Sequence, residues 1–174
     1  MKFIVVFFVM FTVAACGPKI YVDYDPEVDY TKLSSYTFIE NEVEALNELD
    51  QKRFTTAIQE YLKKQNYHFN NTPVVGIQLL TNLADRQTHS TIGIGVGGGG
   101  GHINGGISGG IPITQTKKYL QVTLNLVFLK NRELFWQATT EVVFNPNMNP
   151  EEREQFFKAL ANQLLKKYPP KKKK

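Results

Sequence analysis

Few residues of this 174-residue chain have the type and spacing that chemistry demands. The histidines His68, His89 and His102 lie too far apart, and without the paired Cys or His partners, that a metal motif needs. Asp23, Asp25, Glu27 and Asp29 form an acidic run that would attract calcium, but they lack the spacing and central glycine of a calcium loop and read as turn and solubility residues. Ser34, Ser35, Ser90 and Ser108 have no Gly-x-Ser-x-Gly elbow around them. Trp136 lies inside an apolar run and reads as a core anchor before a stacking surface. Thus no catalytic, cofactor-binding or metal-binding residue can be named, and the expectation is a protein that is not an enzyme. The one reactive group in a telling position is the thiol of Cys16, the only cysteine of the chain.

That thiol closes a segment of its own. Met1-Lys2 is followed by an apolar run from Phe3 to Val13, broken only by Thr12, and then by Ala14-Ala15-Cys16-Gly17. Eleven helical residues at about 1.5 Å each cover about half the hydrocarbon thickness of a bilayer, so the run is a signal peptide and not a span. Small residues before the cleavage point suit a peptidase groove that excludes bulk. Val13-Ala14-Ala15-Cys16 resembles the lipobox of bacterial lipoproteins. The resemblance implies cleavage after Ala15 and acylation of Cys16, with several acyl chains making a permanent tether where one would be marginal. Gly17, in place of the Asp that favours inner-membrane retention in enteric-type bacteria, implies the outer membrane.

The bulk composition excludes other classes. An apolar fraction of 42% with 21% charged residues is that of a globular domain. Lys2 and Lys171 to Lys174 account for five of the 20 basic residues, leaving 15 against 16 acidic ones in between. A neutral body with a short basic tail has no basic face for a phosphate backbone, so no nucleic-acid partner is expected.

The elements that would position any site follow from periodicity. Ile20, Val22 and Tyr24 alternate with Tyr21, Asp23 and Asp25, and Tyr36 and Phe38 with Thr37 and Ile39, which predicts two short strands. Phe54, Ala57, Ile58, Tyr61 and Leu62 share one helical face, with Asn47 as cap, Glu48 and Asp50 in the first turn, Lys63 and Lys64 in the last, and Asn66 as stop. Val74 to Leu83 reads as a strand in which Gly76 marks a bulge or a close backbone approach. Leu120, Val122, Leu124, Leu126 and Phe128 alternate with Gln121, Thr123 and Asn125. The turn Lys130-Asn131-Arg132-Glu133 joins that strand to Leu134 to Phe144 in an antiparallel hairpin. Asn149, Pro150, Glu151 and Glu152 open a last helix whose stripe is Phe156, Phe157, Leu160, Leu164 and Leu165, ended by Pro169-Pro170.

Between the strands lies a segment of unusual composition. Eleven of the 13 glycines fall between Gly93 and Gly110, and no Lys, Arg, Asp or Glu occurs from Gln87 through Thr116. A phosphate cradle fails because no Gly-Lys-Ser/Thr ending or helix follows. Glycines at every fourth position from Gly93 to Gly109 would suit close helix packing, but each costs about 0.8–1.0 kcal/mol relative to Ala in a helix. Isoleucines such as Ile92, Ile94, Ile111 and Ile113 leave membrane contact or self-association open. The favoured expectation is a flexible loop, or a loose hairpin extension between two sheet strands.

Together these readings predict a signal peptide over 1–15, a lipidated N-terminus and short linker over 16–18, one domain over 19–170 with a Gly-rich loop at 88–116, and a basic tail over 171–174. The domain is α+β: a single, mainly antiparallel sheet of four to five strands with two helices on one face.

Several stretches of the mature chain are similar to one family. Val22-Asp23-Tyr24-Asp25 with Tyr30 to Phe38, then Arg53, Ala57, Ile58 and Leu62, then Leu134 to Ala138 and Leu164 to Pro170, resemble the bacterial lipoprotein family catalogued as domain of unknown function 4136. The chain departs from it at Phe38, Asn66, Pro73 and Ala138. The resemblance implies the same localisation and fold, and it brings no established activity. The functional expectation is therefore a lipid-anchored cell-envelope protein with a non-enzymatic binding or scaffold body, whose partners are the membrane, through its N-terminal lipid, and another envelope protein. The alternative is a small-ligand or lipid-binding module with a cleft between sheet and helices near the glycine loop. Nothing in the sequence sets an oligomeric state.

Overall fold

A computed structural model of the chain describes residues 18–39, 43, 45–69, 72–93 and 110–171. The elements are β1 (Ile20–Tyr24), a 3-10 turn (Tyr30–Lys32), β2 (Ser35–Phe38), α1 (Glu48–Lys64), β3 (His68–Phe69), β4 (Val75–Gly93), β5 (Gly110–Phe128), β6 (Leu134–Val143) and α2 (Pro150–Leu165). The strands form one sheet in the order β1-β6-β5-β4-β2-β3. Five of them carry the sheet, and the two-residue β3 adds an edge that no periodicity announces. Pairing is antiparallel except where β2 meets β3 and β4. α1 therefore lies in the crossover between the parallel neighbours β2 and β4.

Alternation decides the layers. Leu120, Val122, Leu124 and Leu126 of β5 are essentially without exposure, as are Ile77 and Leu79 of β4 and Trp136 and Ala138 of β6. Their intervening neighbours carry a polar chain across the other face: Gln137 donates to Asn125 at 2.8 Å, Asn125 donates to Gln78 at 3.1 Å, and the hydroxyls of Thr123 and Thr139 meet at 3.2 Å. The helices cover the apolar face with Phe54, Ala57, Ile58 and Leu62 of α1 and Phe157, Leu160, Ala161, Leu164 and Leu165 of α2. Phe54 and Phe157 touch at 5.3 Å between ring centroids. The domain is thus α+β with both helices on one side of a mainly antiparallel sheet.

The helix ends are built from the residues that the sequence nominates. Asn47 Oδ1 accepts the Asp50 N–H at 2.9 Å, and Asn149 and Glu152 exchange two 2.9 Å bonds in a capping box ahead of Pro150. Asn66 closes α1 with φ 63°. Gly76 marks a close approach and not a bulge: a Cβ there would lie 2.9 Å from Leu129 Cδ2 and 3.1 Å from Ile39 Cγ2 and Val127 Cγ2.

The expected loop at 88–116 is shorter at both ends. β4 and β5 remain paired from Val75↔Phe128 to Gly93↔Gly110, so 88–93 and 110–116 are strand. The β-branched residues Thr88, Thr91, Ile92, Ile111, Ile113, Thr114 and Thr116 favour that extension, and Pro112 is tolerated where, among the described residues, no third strand lies alongside. Residues 94–109, the segment 1–15 expected to be a signal peptide with cleavage after Ala15, Cys16, where lipidation is expected, and the tail residues 172–174 lie outside the described residues.

Candidate functional site

The residues singled out for chemistry do not converge. His68 is exposed in β3, His89 belongs to the distant part of β4, and His102 lies outside the described residues, as does Ser108. The acidic run makes turns: Asp25 Oδ1 accepts the Glu27 N–H at 2.8 Å, and Asp29 Oδ1 accepts the Thr31 hydroxyl at 2.7 Å. Ser35 Oγ accepts the Val74 N–H at 3.2 Å. Trp136 is buried against Tyr168, ring centroids 5.2 Å apart, which is the core role its run suggests. Among the described residues no group of three or more His, Cys, Asp or Glu side chains could hold a metal ion.

Concave surface occurs at the end of the sheet where β1 finishes. The loop after β1, the turn after α1 and the chain after α2 enclose a groove of about 1040 Å³ lined by Tyr24, Pro26, Tyr30, Ser34, Gln65, Asn66, Tyr67, Pro169 and Lys171, among others. Its floor is aromatic. Tyr30 packs edge-on against Tyr24, Phe135 and Tyr168 at 6.4, 5.9 and 6.1 Å, and Tyr67 lies 5.4 Å from Tyr168. The Tyr30 hydroxyl donates toward two backbone carbonyls, Asp25 at 3.1 Å and Phe135 at 3.0 Å, tying the loop after β1 to the start of β6.

These phenols are held neutral. Burial, then the charge of Asp25 and the proximity of Tyr24, pushes Tyr30 up to about 12. Burial also raises Tyr67 and, more strongly, Tyr168, which share a hydrogen bond. Protonated phenols with fixed partners make a rigid, weakly polar floor, and none of them is poised as a base near neutral pH. Glu27, Asp29 and Lys171 bring charge of both signs to the rim.

At the end of the sheet remote from the Gly-rich segment, the interface between sheet and helices is closed. The void bounded by Tyr36, Leu62, Ile77, Leu126 and Tyr168, among others, measures about 10 Å³, room for no more than a water. Large apolar side chains from both layers fill the space. Sequence reasoning missed the groove because its walls come from three connections far apart in the chain. The signals that bear on it are the turn residues Asp25-Pro26 and Pro169-Pro170.

The profile of the family described as Domain of unknown function (DUF4136) matches residues 20–170. The chain belongs to that family. Two stretches on which its resemblance to DUF4136 rests, Tyr30 to Phe38 and Leu164 to Pro170, meet at the groove. No curated protein matches the chain. Among solved structures, the DUF4136 fold here is similar to a PDZ domain protein from Parabacteroides distasonis, with a TM-score of 0.53 at 11% identity, covering 99% of this chain and 41% of that one. The chain thus spans about two fifths of that protein's length. PelC from Paraburkholderia phytofirmans, solved as a dodecamer, gives 0.49 at 10% identity over 86% of this chain and 95% of that one. A minor lipoprotein from Acinetobacter baumannii gives 0.43 at 13% identity over 78% and 92%. At these identities the first likeness speaks for fold alone.

Proposed function

We propose that this DUF4136 protein is a lipid-anchored component of the bacterial cell envelope, cleaved after Ala15, acylated at Cys16 and held at the outer membrane. Its non-enzymatic body binds another envelope component in the groove. The observation that carries the reading is the placement of tether and groove. β1 begins at Ile20, four residues after Cys16, and its other end, Tyr24, forms part of the groove wall. The start of β1, which follows Cys16 in the sequence, and the groove lie at opposite ends of one strand, so a lipid on Cys16 would leave the groove at the far end of the body. Among the described residues no helix is long and apolar enough to cross a membrane.

The test has two parts. Mass spectrometry of the mature protein should find an acylated N-terminal cysteine, and Cys16→Ser should abolish processing and membrane retention. A photo-crosslinking residue placed at Ser34 or Asn66 in cells should capture one envelope component, while the same residue at Asn162, on the exposed side of α2, should not. Equal capture at both places would remove the groove from the proposal.

A second reading, a small-ligand or lipid-binding module, is favoured by the groove's size. Its 1040 Å³ stands at the top of the range for ligand sites. Native mass spectrometry of protein extracted from its own membranes separates the two, since a retained small ligand adds a discrete mass that a protein partner does not.

A further inference from the structure

The two helices run side by side in the same direction. Asp50 and Arg153 join their starts, and the Tyr61 hydroxyl donates to the Leu165 carbonyl at 2.9 Å near their ends. Both C-termini therefore lie at the groove, where Gln65, Asn66 and Tyr67 follow α1 and Pro169, Pro170 and Lys171 follow α2. Both N-termini lie a helix length away, about 25 Å for the 17 residues of α1.

Charge is balanced over the body as a whole and polarised along this axis. No Asp or Glu occurs from Tyr61 through Ala84 or from Gln155 through Lys174. The end of α1 and the chain after α2 thus present Lys63, Lys64, Lys166, Lys167 and Lys171, all exposed. Among the described residues none of these lysines takes part in an ion pair. Acid gathers at the opposite end, with Glu48 and Asp50 in the first turn of α1 and Glu151 and Glu152 in that of α2. Lysines in a last turn complement the helix dipole, which accounts for Lys63 and Lys64. It does not account for Lys171, which lies past the end of α2 at Leu165 and continues in the sequence into Lys172 to Lys174.

The loop after β1 supplies the remaining wall of the groove and carries Glu27 and Asp29. A uniform polyanion, such as an anionic lipid surface, would gain from the lysines and be repelled by this loop. Ser34, Gln65 and Asn66 add hydroxyl and amide groups above the tyrosine floor. A partner that matches all of this bears carboxylates and an amine on a backbone rich in neutral hydroxyl and amide groups. Peptidoglycan has that chemistry, in peptide stems with free carboxylates and a diamino acid on strands of N-acetylated sugars.

We propose that the groove takes a peptide stem of peptidoglycan, carboxylates toward Lys171 and the lysines of the helix ends, amine toward Glu27 and Asp29. The inference rests on the anchor and groove proposed above and names the envelope component that the groove binds. Placement favours it: the groove end is the end of the body remote from a lipid on Cys16, and beneath an outer membrane that end faces the wall.

The test uses the full-length lipidated protein in detergent and purified sacculi freed of bound protein. The wild type should sediment with the sacculi, and far less with the same glycan after an amidase has removed its peptide stems. Lys64→Gln, Lys167→Gln and Lys171→Gln combined, all exposed changes, should weaken sacculus binding about tenfold. Lys19→Gln, Lys52→Gln and Lys117→Gln, the same loss of charge away from the groove, should weaken it less than about twofold. Absence of sedimentation, equal binding to the stem-free glycan, or equal weakening by the two triple variants overturns the inference. In cells, the adduct formed by the photo-crosslinking residue at Ser34 should carry, after muramidase digestion, the mass of a peptide-bearing disaccharide. A protein or phospholipid adduct instead overturns the stem and leaves the groove as a binding site. No adduct at all removes the groove reading, and the inference with it.

Discussion

Arg153 of α2 reaches Asp50 of α1 through an Nη1–Oδ2 ion pair that bridges 103 residues of chain and buries the carboxylate almost completely. Arg53 Nη1 takes the other carboxylate oxygen at 2.8 Å, and Asn47 Nδ2 adds a bond at 3.1 Å. Arg153 in turn donates to the Met148 carbonyl at 3.1 Å and lies over the Phe144 ring. One carboxylate therefore fixes the start of both helices relative to each other. Removing one partner of a buried pair costs up to about 3–5 kcal/mol when the remaining charge is left alone, and less here, where Arg53 and Asn47 still hold Asp50. Arg153→Ala should lower the unfolding free energy measured by urea denaturation, and Arg53→Ala, on the more exposed side, should lower it by less. A loss below about 1 kcal/mol for Arg153→Ala would mean that the carboxylate is hydrated in solution.

The two helix caps differ in kind, and their removal should rank accordingly. Asn149 takes part in a reciprocal capping box with Glu152, whereas Asn47 both caps α1 and holds Asp50. Asn149→Ala should cost about 1 kcal/mol, the ordinary loss of a cap. Asn47→Ala should exceed it, because a buried carboxylate loses a donor as well. Urea denaturation of the two variants side by side checks the order.

Gly76 offers a third measurement, on packing and not on charge. Its neighbours at 2.9–3.1 Å are the side-chain ends of Leu129, Ile39 and Val127. A methyl group can be admitted if those ends shift, so Gly76→Ala should destabilise by about 1 kcal/mol, and the branched Gly76→Val should cost about 3 kcal/mol, as overpacking of a filled site does. Thermal unfolding monitored by far-ultraviolet circular dichroism gives both values.

Much of the fold could be read from residue order where local signals and burial agree. Leu120 to Leu126 alternates because β5 is central and one of its faces is covered; Asn47 and Asn149 lie where caps form. The outer part of β4 and β5 was less legible, since Gly93, Gly110 and Pro112 weaken any strand pattern and the pairing is supplied by the partner strand. β3 is two residues long and has no periodicity to find. The groove was not legible at all: Ser34, Asn66 and Pro169 have no local relation, and only the closing of the whole chain brings them together. Asp50 reads locally as a first-turn acid, and its partner Arg153 is visible only in three dimensions.

The partly and fully buried phenols supply a last prediction, one of pH. Of eight tyrosines, Tyr30, Tyr36, Tyr61, Tyr67 and Tyr168 are raised, each chiefly by burial. A phenol raised in the folded state binds its proton more tightly there than in the unfolded chain. Its stabilising contribution is complete below the unfolded value near 10 and is lost as pH climbs through the folded value, about 12 for Tyr30. Stability should therefore be insensitive to these groups up to about pH 9 and fall steeply between about pH 10 and 12. Phenolate absorbance at alkaline pH should show the raised group ionising only as the protein unfolds. Tyr30→Phe should flatten the alkaline part of the stability curve while lowering the plateau at neutral pH, because the Asp25 and Phe135 carbonyls lose the bond from the hydroxyl, Phe135 keeping only the Asp25 N–H. A plateau unchanged by Tyr30→Phe would show that this hydroxyl does not hold the loop after β1 to β6.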